Sequence, residues 1–246
     1  MTITSLENEK IKNYIKLQRK KYRDLTNKYL VEGLHLVQEA YKAGLLEEVI
    51  LLEKEENPFN VESVYVSPEV MKKISTLDTP ITIIGVCRKS NNNKIVGNKI
   101  LLLDNIQDPG NLGTIIRSAV AFNIDCIILS NDTVDLYNPK VLRATQGIYA
   151  YIPIIKMDSI EAIKKLKEDN FYIYGTDVND GKDIRKLDNK NKNICLIMGN
   201  EGNGVTKEVK ELCNDNIYIK TNNKVESLNV GVACSILLYE LGRLDG

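Results

Sequence analysis

Three glycines within six residues, Gly199-Asn200-Glu201-Gly202-Asn203-Gly204, follow directly on the apolar run Ile194-Cys195-Leu196-Ile197-Met198. The run is too short for an ordinary helix and is bounded by polar residues, so it reads as a buried strand. A glycine-rich loop after a strand suggests backbone at positive φ, or room for another group to come close. A phosphate cradle is the first chemistry to weigh, and the arrangement argues against it. The spacing Gly-x-x-Gly-x-Gly is neither the dinucleotide fingerprint nor a P-loop, and no Lys-Ser/Thr pair follows. Glu201 also lies inside the loop, where its carboxylate would repel a phosphate. A neutral or cationic ligand fits better. Beyond the loop, Ile217-Tyr218-Ile219 leads through polar residues into Ser227-Leu228-Asn229-Val230 and an apolar-rich helix.

The elements that must hold these loops alternate. Ile100 to Leu103 is a continuous apolar run, as expected of a strand buried on both faces. The polar stretch Asn105 to Gly113 follows, then a helix carrying Arg117 and Ala119. A buried strand Cys126 to Leu129, a helix Pro139 to Thr145, the segment Ile152 to Ile155, a helix Ile160 to Lys167 and a strand Phe171 to Gly175 continue the pattern. This predicts an α/β domain with a mainly parallel sheet and helices on both faces. Ligands of such sheets bind beyond the carboxyl ends of the strands, so the loops after 100–104, 171–175 and 194–198 are the places to look.

The first part also alternates: a basic helix, Tyr29-Leu30-Val31, a helix Gly33 to Ala43, strands near 48–52 and 61–66, a helix Pro68 to Ile74 and a strand Ile81 to Val86. Between Arg88 and Asn98 the composition turns polar and aperiodic, which predicts a linker between two domains. Between Glu9 and Leu30 there are eight basic residues against two acids. Ile11, Tyr14, Ile15, Tyr22 and Leu25 fall near helical spacing and leave Lys10, Lys16, Arg19, Lys20, Lys21 and Arg23 largely on the other face. Such a face is either a solvated surface or an electrostatic footprint for nucleic acid.

The net charge of zero names no partner, and 43% hydrophobic content supports real cores in 246 residues. Apolar runs fall short of a membrane span and Met1-Thr2-Ile3-Thr4 opens no signal peptide. The five scattered cysteines, with no Cys-x-x-Cys pair, read as buried reduced thiols. A cytoplasmic protein is expected, without a membrane partner. His35, the only histidine, has no nearby ligand set and reads as a partly buried helical residue, and no metal cluster appears.

The loops carry a resemblance. Asn105-x-x-Asp108-Pro109-x-Asn111-x-Gly113-x-x-x-Arg117, then Gly199-x-Glu201-x-x-Gly204, then Ser227-Leu228-Asn229-Val230, resemble the three ordered motifs of the SpoU/TrmH family of RNA 2′-O-ribose methyltransferases, within the SPOUT superfamily. Residues 98–246 would then form the methyltransferase domain. Residues 1–90, with Leu30-Val31-Glu32-Gly33 after the basic helix, resemble the L30e-like RNA-binding domain of ribosomal RNA-modifying members.

The resemblance implies a knotted SPOUT-type sheet, S-adenosylmethionine as methyl donor, and a homodimer with each site at the subunit interface. Ribosomal RNA is the implied substrate, with transfer RNA as the competing one. Asn111, Arg117, Glu201, Ser227 and Asn229 match the catalytic positions. Gly199, Ile219 and Leu228 match the cofactor positions, where backbone groups would hold the ligand, and Thr176 at its strand end joins them. In the family proposal the arginine accepts the proton of the 2′-hydroxyl. A guanidinium has a pKa above ~12 and no lone pair while charged, so stabilising developing negative charge suits Arg117 better. Plainer roles stand beside these: Glu201 as an acid opening the helix Val205 to Leu212, and Ser227 as the N-cap of the last helix. A catalytically silent RNA-binding assembly factor of the same fold is the alternative from another class. A nucleotide-dependent oxidoreductase is disfavoured by Glu201 and the absent fingerprint.

Overall fold

The computed structural model describes residues 2–91, 93–178, 180–187, 191–222 and 224–243. The chain divides into two compact units, Met1–Asn91 with Asp135–Ala150, and Asn92–Val134 with Tyr151–Gly246.

The first unit begins with β1 (Thr2–Ile3), α1 (Glu9–Lys16), α2 (Lys20–Thr26), β2 (Lys28–Glu32) and α3 (Leu34–Lys42), followed by β3 (Leu46–Leu52), β4 (Glu62–Val66), α4 (Pro68–Ile74) and β5 (Ile83–Arg88). Its sheet runs β1-β4-β3-β5-β2, with β5 antiparallel to both β2 and β3. The expected basic helix is two helices. Asn8 caps α1 through hydrogen bonds from the Lys10 and Ile11 N–H groups. Where α1 stops, the Arg23 guanidinium donates to the freed carbonyls of Leu17 and Gln18 at 2.9 and 2.8 Å. Those carbonyls would otherwise lack helical partners. Ile11, Tyr14 and Leu17 pack into the core with Ile50, Val70 and Ile84. Leu25, expected on the apolar stripe, is 77% exposed, because the break rotates α2 away from the register of α1. His35 lies exposed on α3, its Nε2 3.2 Å from the Gln146 carbonyl oxygen.

The second unit is built on β6 (Lys99–Leu103), α5 (Pro109–Ala121) and β7 (Cys126–Leu129). The chain then gives α6 (Pro139–Thr145) to the first unit and continues with β8 (Ile154–Lys156), α7 (Ser159–Glu168), β9 (Tyr172–Thr176) and β10 (Lys182–Asp183). It closes with β11 (Ile194–Met198), α8 (Lys207–Lys210), β12 (Asp215–Tyr218) and α9 (Val230–Arg243). The sheet order is β10-β12-β9-β11-β6-β7-β8 and every pairing is parallel, as the helix-strand alternation predicts. Ile100, Leu102, Cys195 and Ile197 pack with Ala162, Ile163 and Leu166 of α7 on one face. Ile194 and Leu196, offset by one residue and so on the other face, approach Leu238 and Leu241 of α9. Helix α9 in turn packs along α5. Helix α8 is a single turn rather than the longer helix Val205 to Leu212. Cys87, Cys126, Cys195 and Cys234 are buried free thiols, and Cys213 is half-buried.

Residues 135–150 return to the first unit through buried polar contacts. Arg23 pairs with Asp135 at 2.6 Å while only 4% exposed. The Tyr29 and Tyr149 hydroxyls meet at 2.8 Å in the interior. Buried Glu32 accepts from the Thr76 N–H and hydroxyl, and Arg143 donates to that hydroxyl at 3.0 Å. Buried charges and hydroxyls are costly unless partnered, so these pairs explain why the segment groups with β2 and α4 instead of with the strands on either side of it.

Candidate active site

Strand β11 ends in the glycine loop, which closes on itself. Asn200 and Gly204 exchange two backbone hydrogen bonds, each of 2.9 Å, with Gly204 at φ +68°. A Cβ on Gly199 would lie 2.1 Å from the Gly204 carbonyl carbon and the Val205 nitrogen, so only glycine permits this closure. The Asn200 side chain tightens it, accepting from Gly202 and Asn203 N–H and donating to the Asn105 carbonyl at 2.9 Å. Asn105 itself stands at φ +64°.

That closure aims Glu201 across to the loop after β6. Its carboxylate accepts from the N–H groups of Asp108 at 3.0 Å and Gln107 at 3.2 Å, and from Asn111 Nδ2 at 3.1 Å. Asp108 caps α5 by accepting from Asn111 N–H at 2.8 Å. Glu201 therefore lies at the positive end of α5 and not at the start of α8, the helix that the sequence suggested it would open. Partial burial pushes its carboxyl up, but the hydrogen bonds from Asn111, Asp108 and Gln107 outweigh this and hold it below the ordinary glutamate value.

The Asn111 amide must donate to the carboxylate, which turns its Oδ1 toward Asn229. Asn229 Nδ2 donates to it at 2.9 Å, leaving Asn229 Oδ1 to accept from Gly231 and Val232 N–H at 2.9 and 3.2 Å. Asn229 is thus the N-cap of α9, a role the sequence offered to Ser227. Ser227 is exposed, makes no hydrogen bond among the described residues, and lines the neighbouring cavity. Glu201, Asn111 and Asn229 form one hydrogen-bonded row that joins the glycine loop to the first turn of α5 and the N-cap of α9. Arg117, two turns into α5, is exposed and has no ion pair or hydrogen bond among the described residues. Within this one chain it stands outside the row.

A cavity of ≈ 640 Å³ opens beside the row. Thr176, Gly199, Ile219 and Leu228 all line it, together with Glu201 and Ser227. The Thr176 hydroxyl donates to the Ile197 carbonyl at 3.0 Å and ties β9 to β11. Three further charged lining groups escaped the motif reading: Asp177, Lys210 and Glu226. Asp177 and Lys210 pair with each other. Their signal in the sequence was only positional, since Asp177 lies two residues beyond the expected strand 171–175 and directly after β9. No cluster of three or more metal-ligating side chains occurs among the described residues, and no helix is long and apolar enough to cross a membrane.

On the first unit, Arg19, Lys20 and Lys21 are exposed, Lys20 pairing with Asp24. Lys16 lies 5.9 Å above the Tyr22 ring, and Lys10 pairs with Glu48. Arg23 is withdrawn from this set. Its guanidinium is spent on Asp135 and on the carbonyls at the end of α1, so it cannot present a charge to a phosphate.

Residues 98–239 match the model of the SpoU rRNA Methylase family, and residues 8–85 match an MRM3-like substrate binding domain. The 23S rRNA (guanosine(2553)-2′-O)-methyltransferase RlmP of Bacillus subtilis is 36% identical over 97% of this chain and 98% of that protein. Among solved structures, an AdoMet-bound rRNA methyltransferase from Sinorhizobium meliloti superposes with a TM-score of 0.87 at 29% identity, covering 99% of this chain and 97% of its own. A further RNA 2′-O ribose methyltransferase gives a TM-score of 0.83 at 27% identity over 100% of this chain and 99% of its own.

Proposed function

Because the chain belongs to the SpoU rRNA methylase family, we propose that it is an S-adenosylmethionine-dependent RNA 2′-O-ribose methyltransferase acting on ribosomal RNA. The observation that carries this reading is the row Glu201–Asn111–Asn229 at the rim of the cavity. It fixes two amides and a carboxylate where a sugar hydroxyl and a bound methyl donor could meet.

The cavity fits S-adenosylmethionine on its own geometry. Its volume lies within the ~300–1,000 Å³ usual for small-ligand sites. Its floor is the glycine loop, and the carboxylates along its wall favour a cation over a phosphate. Backbone groups of Gly199, Ile219 and Leu228 would hold the ligand, with Thr176 on the wall. When bound, S-adenosylmethionine supplies an electrophilic methyl on its sulfonium. The protein's own contribution is then positioning, which is where most of the acceleration in such transfers resides. Glu201 and Asn229 hold Asn111 in one orientation, which leaves its second Nδ2 hydrogen and the Ser227 hydroxyl to orient the ribose. Arg117 stabilises negative charge as the 2′-oxygen loses its proton.

We read Met1 to Ser90 as the RNA-substrate domain and residues 98–246 as the methyltransferase domain. Exposed Arg19, Lys20 and Lys21, with Lys10 and Lys16, supply phosphate contacts. The isolation of Arg117 within one chain supports a homodimer in which a second subunit completes the site. On the same reading the C-terminal segment forms a trefoil knot and the enzyme works in the cytoplasm. Transfer RNA is the competing substrate, and a silent RNA-binding assembly factor the competing class.

The test supplies methyl-labelled S-adenosylmethionine to the protein with separate pools of unmodified ribosomal and transfer RNA, followed by nucleoside analysis. Label in a 2′-O-methylnucleoside from ribosomal RNA is expected. The same product from transfer RNA alone would overturn the substrate, and cofactor binding without transfer to RNA or to ribosomal particles would overturn the reaction.

A further inference from the structure

Among the described residues four charged side chains line the cavity: Asp177, Glu201, Glu226 and Lys210. Three of them are engaged. Asp177 and Lys210 neutralise each other. Glu201 accepts from two backbone N–H groups and the Asn111 amide. Glu226 is exposed and makes no hydrogen bond or ion pair among the described residues. It directly precedes Ser227 and Leu228, which line the same cavity. Lys220 and Lys224, the cations of the same loop, do not line it.

Resting on the methyltransferase reading, we infer that Glu226 is a specificity-determining residue for the methyl donor: its uncommitted carboxylate faces the sulfonium charge and separates donor from spent product. The argument is one of charge. Transfer of the methyl to the 2′-oxygen breaks the sulfur–carbon bond and leaves the electron pair on sulfur, and the hydroxyl proton leaves to solvent. The sulfonium becomes a neutral thioether, while the ammonium and carboxylate of the amino-acid end are unchanged. Donor and product therefore differ by one positive charge, and a carboxylate in the cavity can tell them apart through that charge; Glu201 is held toward the α5 end by three neutral donors, whereas Glu226 has no partner among the described residues. Exposed charge pairs are weak, so the preference is a few-fold, enough to ease product release without trapping the donor.

Isothermal titration of the full-length protein with S-adenosylmethionine and with S-adenosylhomocysteine tests this, together with Glu226→Gln, Glu226→Lys and Glu226→Asp. In Glu226→Gln the donor's Kd is expected to rise about 3- to 5-fold and the product's less than 2-fold. Glu226→Lys should widen the donor's loss further, and Glu226→Asp should restore most of it. Raising salt should weaken donor binding to the wild type more than to Glu226→Gln. Equal losses for the two ligands, or none for either, would overturn the inference. If the wild type binds neither ligand, the methyltransferase reading itself fails, which is a separable outcome.

Discussion

Asn229 makes two kinds of contact at once: its Oδ1 caps α9 through the Gly231 and Val232 N–H groups, and its Nδ2 donates to Asn111 2.9 Å away. Helix stability and site geometry therefore share one side chain, and substitutions can separate them. Asn229→Ser keeps a capping oxygen but cannot reach Asn111. It should melt close to wild type, whereas Asn229→Ala should lose about 1 kcal/mol. Both should lower kcat by roughly 10- to 100-fold, since small misplacements near the chemistry are expensive. Thermal melts beside methyl-transfer assays read the two effects.

Glu201→Gln should disturb the row in a pH-dependent way. The Glu201 carboxyl is held below its ordinary value by its hydrogen bonds, so its contribution to stability is present above the unfolded value of about 4.3 and is lost as pH falls through the folded one. Denaturation midpoints of wild type and Glu201→Gln should differ at neutral pH and converge as pH falls below the lowered folded-state value. A gap that stays constant down to acid pH would show that the charge is not what matters.

Gly199→Ala tests the loop closure. The added methyl would meet backbone, not a movable side chain. The loop must open, and S-adenosylmethionine binding should fall more than about 10-fold while the parallel sheet still folds. Near-normal binding by calorimetry would rule out the closed loop as the cavity floor.

Arg117→Ala should reduce kcat by about 100-fold or more and leave the S-adenosylmethionine Kd within about 2-fold, because Arg117 does not line the cavity. Near-normal turnover with unchanged RNA binding would remove Arg117 from the chemistry.

Two basic residues two positions apart should behave oppositely. Arg23→Ala leaves Asp135 without its partner and frees the carbonyls at the end of α1, at a cost of about 3 kcal/mol. Lys21→Ala, on an exposed side chain, should cost under about 0.5 kcal/mol and weaken RNA binding about 2- to 3-fold with a shallower salt dependence. Chemical denaturation and filter binding distinguish them.

The centre of the parallel sheet was legible because β6, β7 and β11 are nearly continuous apolar runs, whereas the edge strand β10, Lys182–Asp183, has no such signal. The cavity loops were legible because Gly199 and Ile219 lie at strand ends and Leu228 just before α9, and all three line the cavity. Asp177 and Lys210 were not legible, since an ion pair between a strand end and a one-turn helix leaves no periodic trace. Arg23 misled for a related reason. Spacing placed it with the other basic residues, but the break after Lys16 turned it inward toward Asp135, more than a hundred positions away. Ser227 and Asn229 are both good capping residues two positions apart, and only the donation to Asn111 decides between them.

The return of Asp135–Ala150 to the first unit makes that unit discontinuous in the gene's reading order. A stretch ending near Arg88 is therefore not the whole of this compact unit. A fragment cut there would carry Arg23, Tyr29 and Glu32 into the interior without Asp135, Tyr149 and Arg143. Swapping the first unit between relatives would need splice sites on both sides of Asp135–Ala150 as well as the one after Asn91.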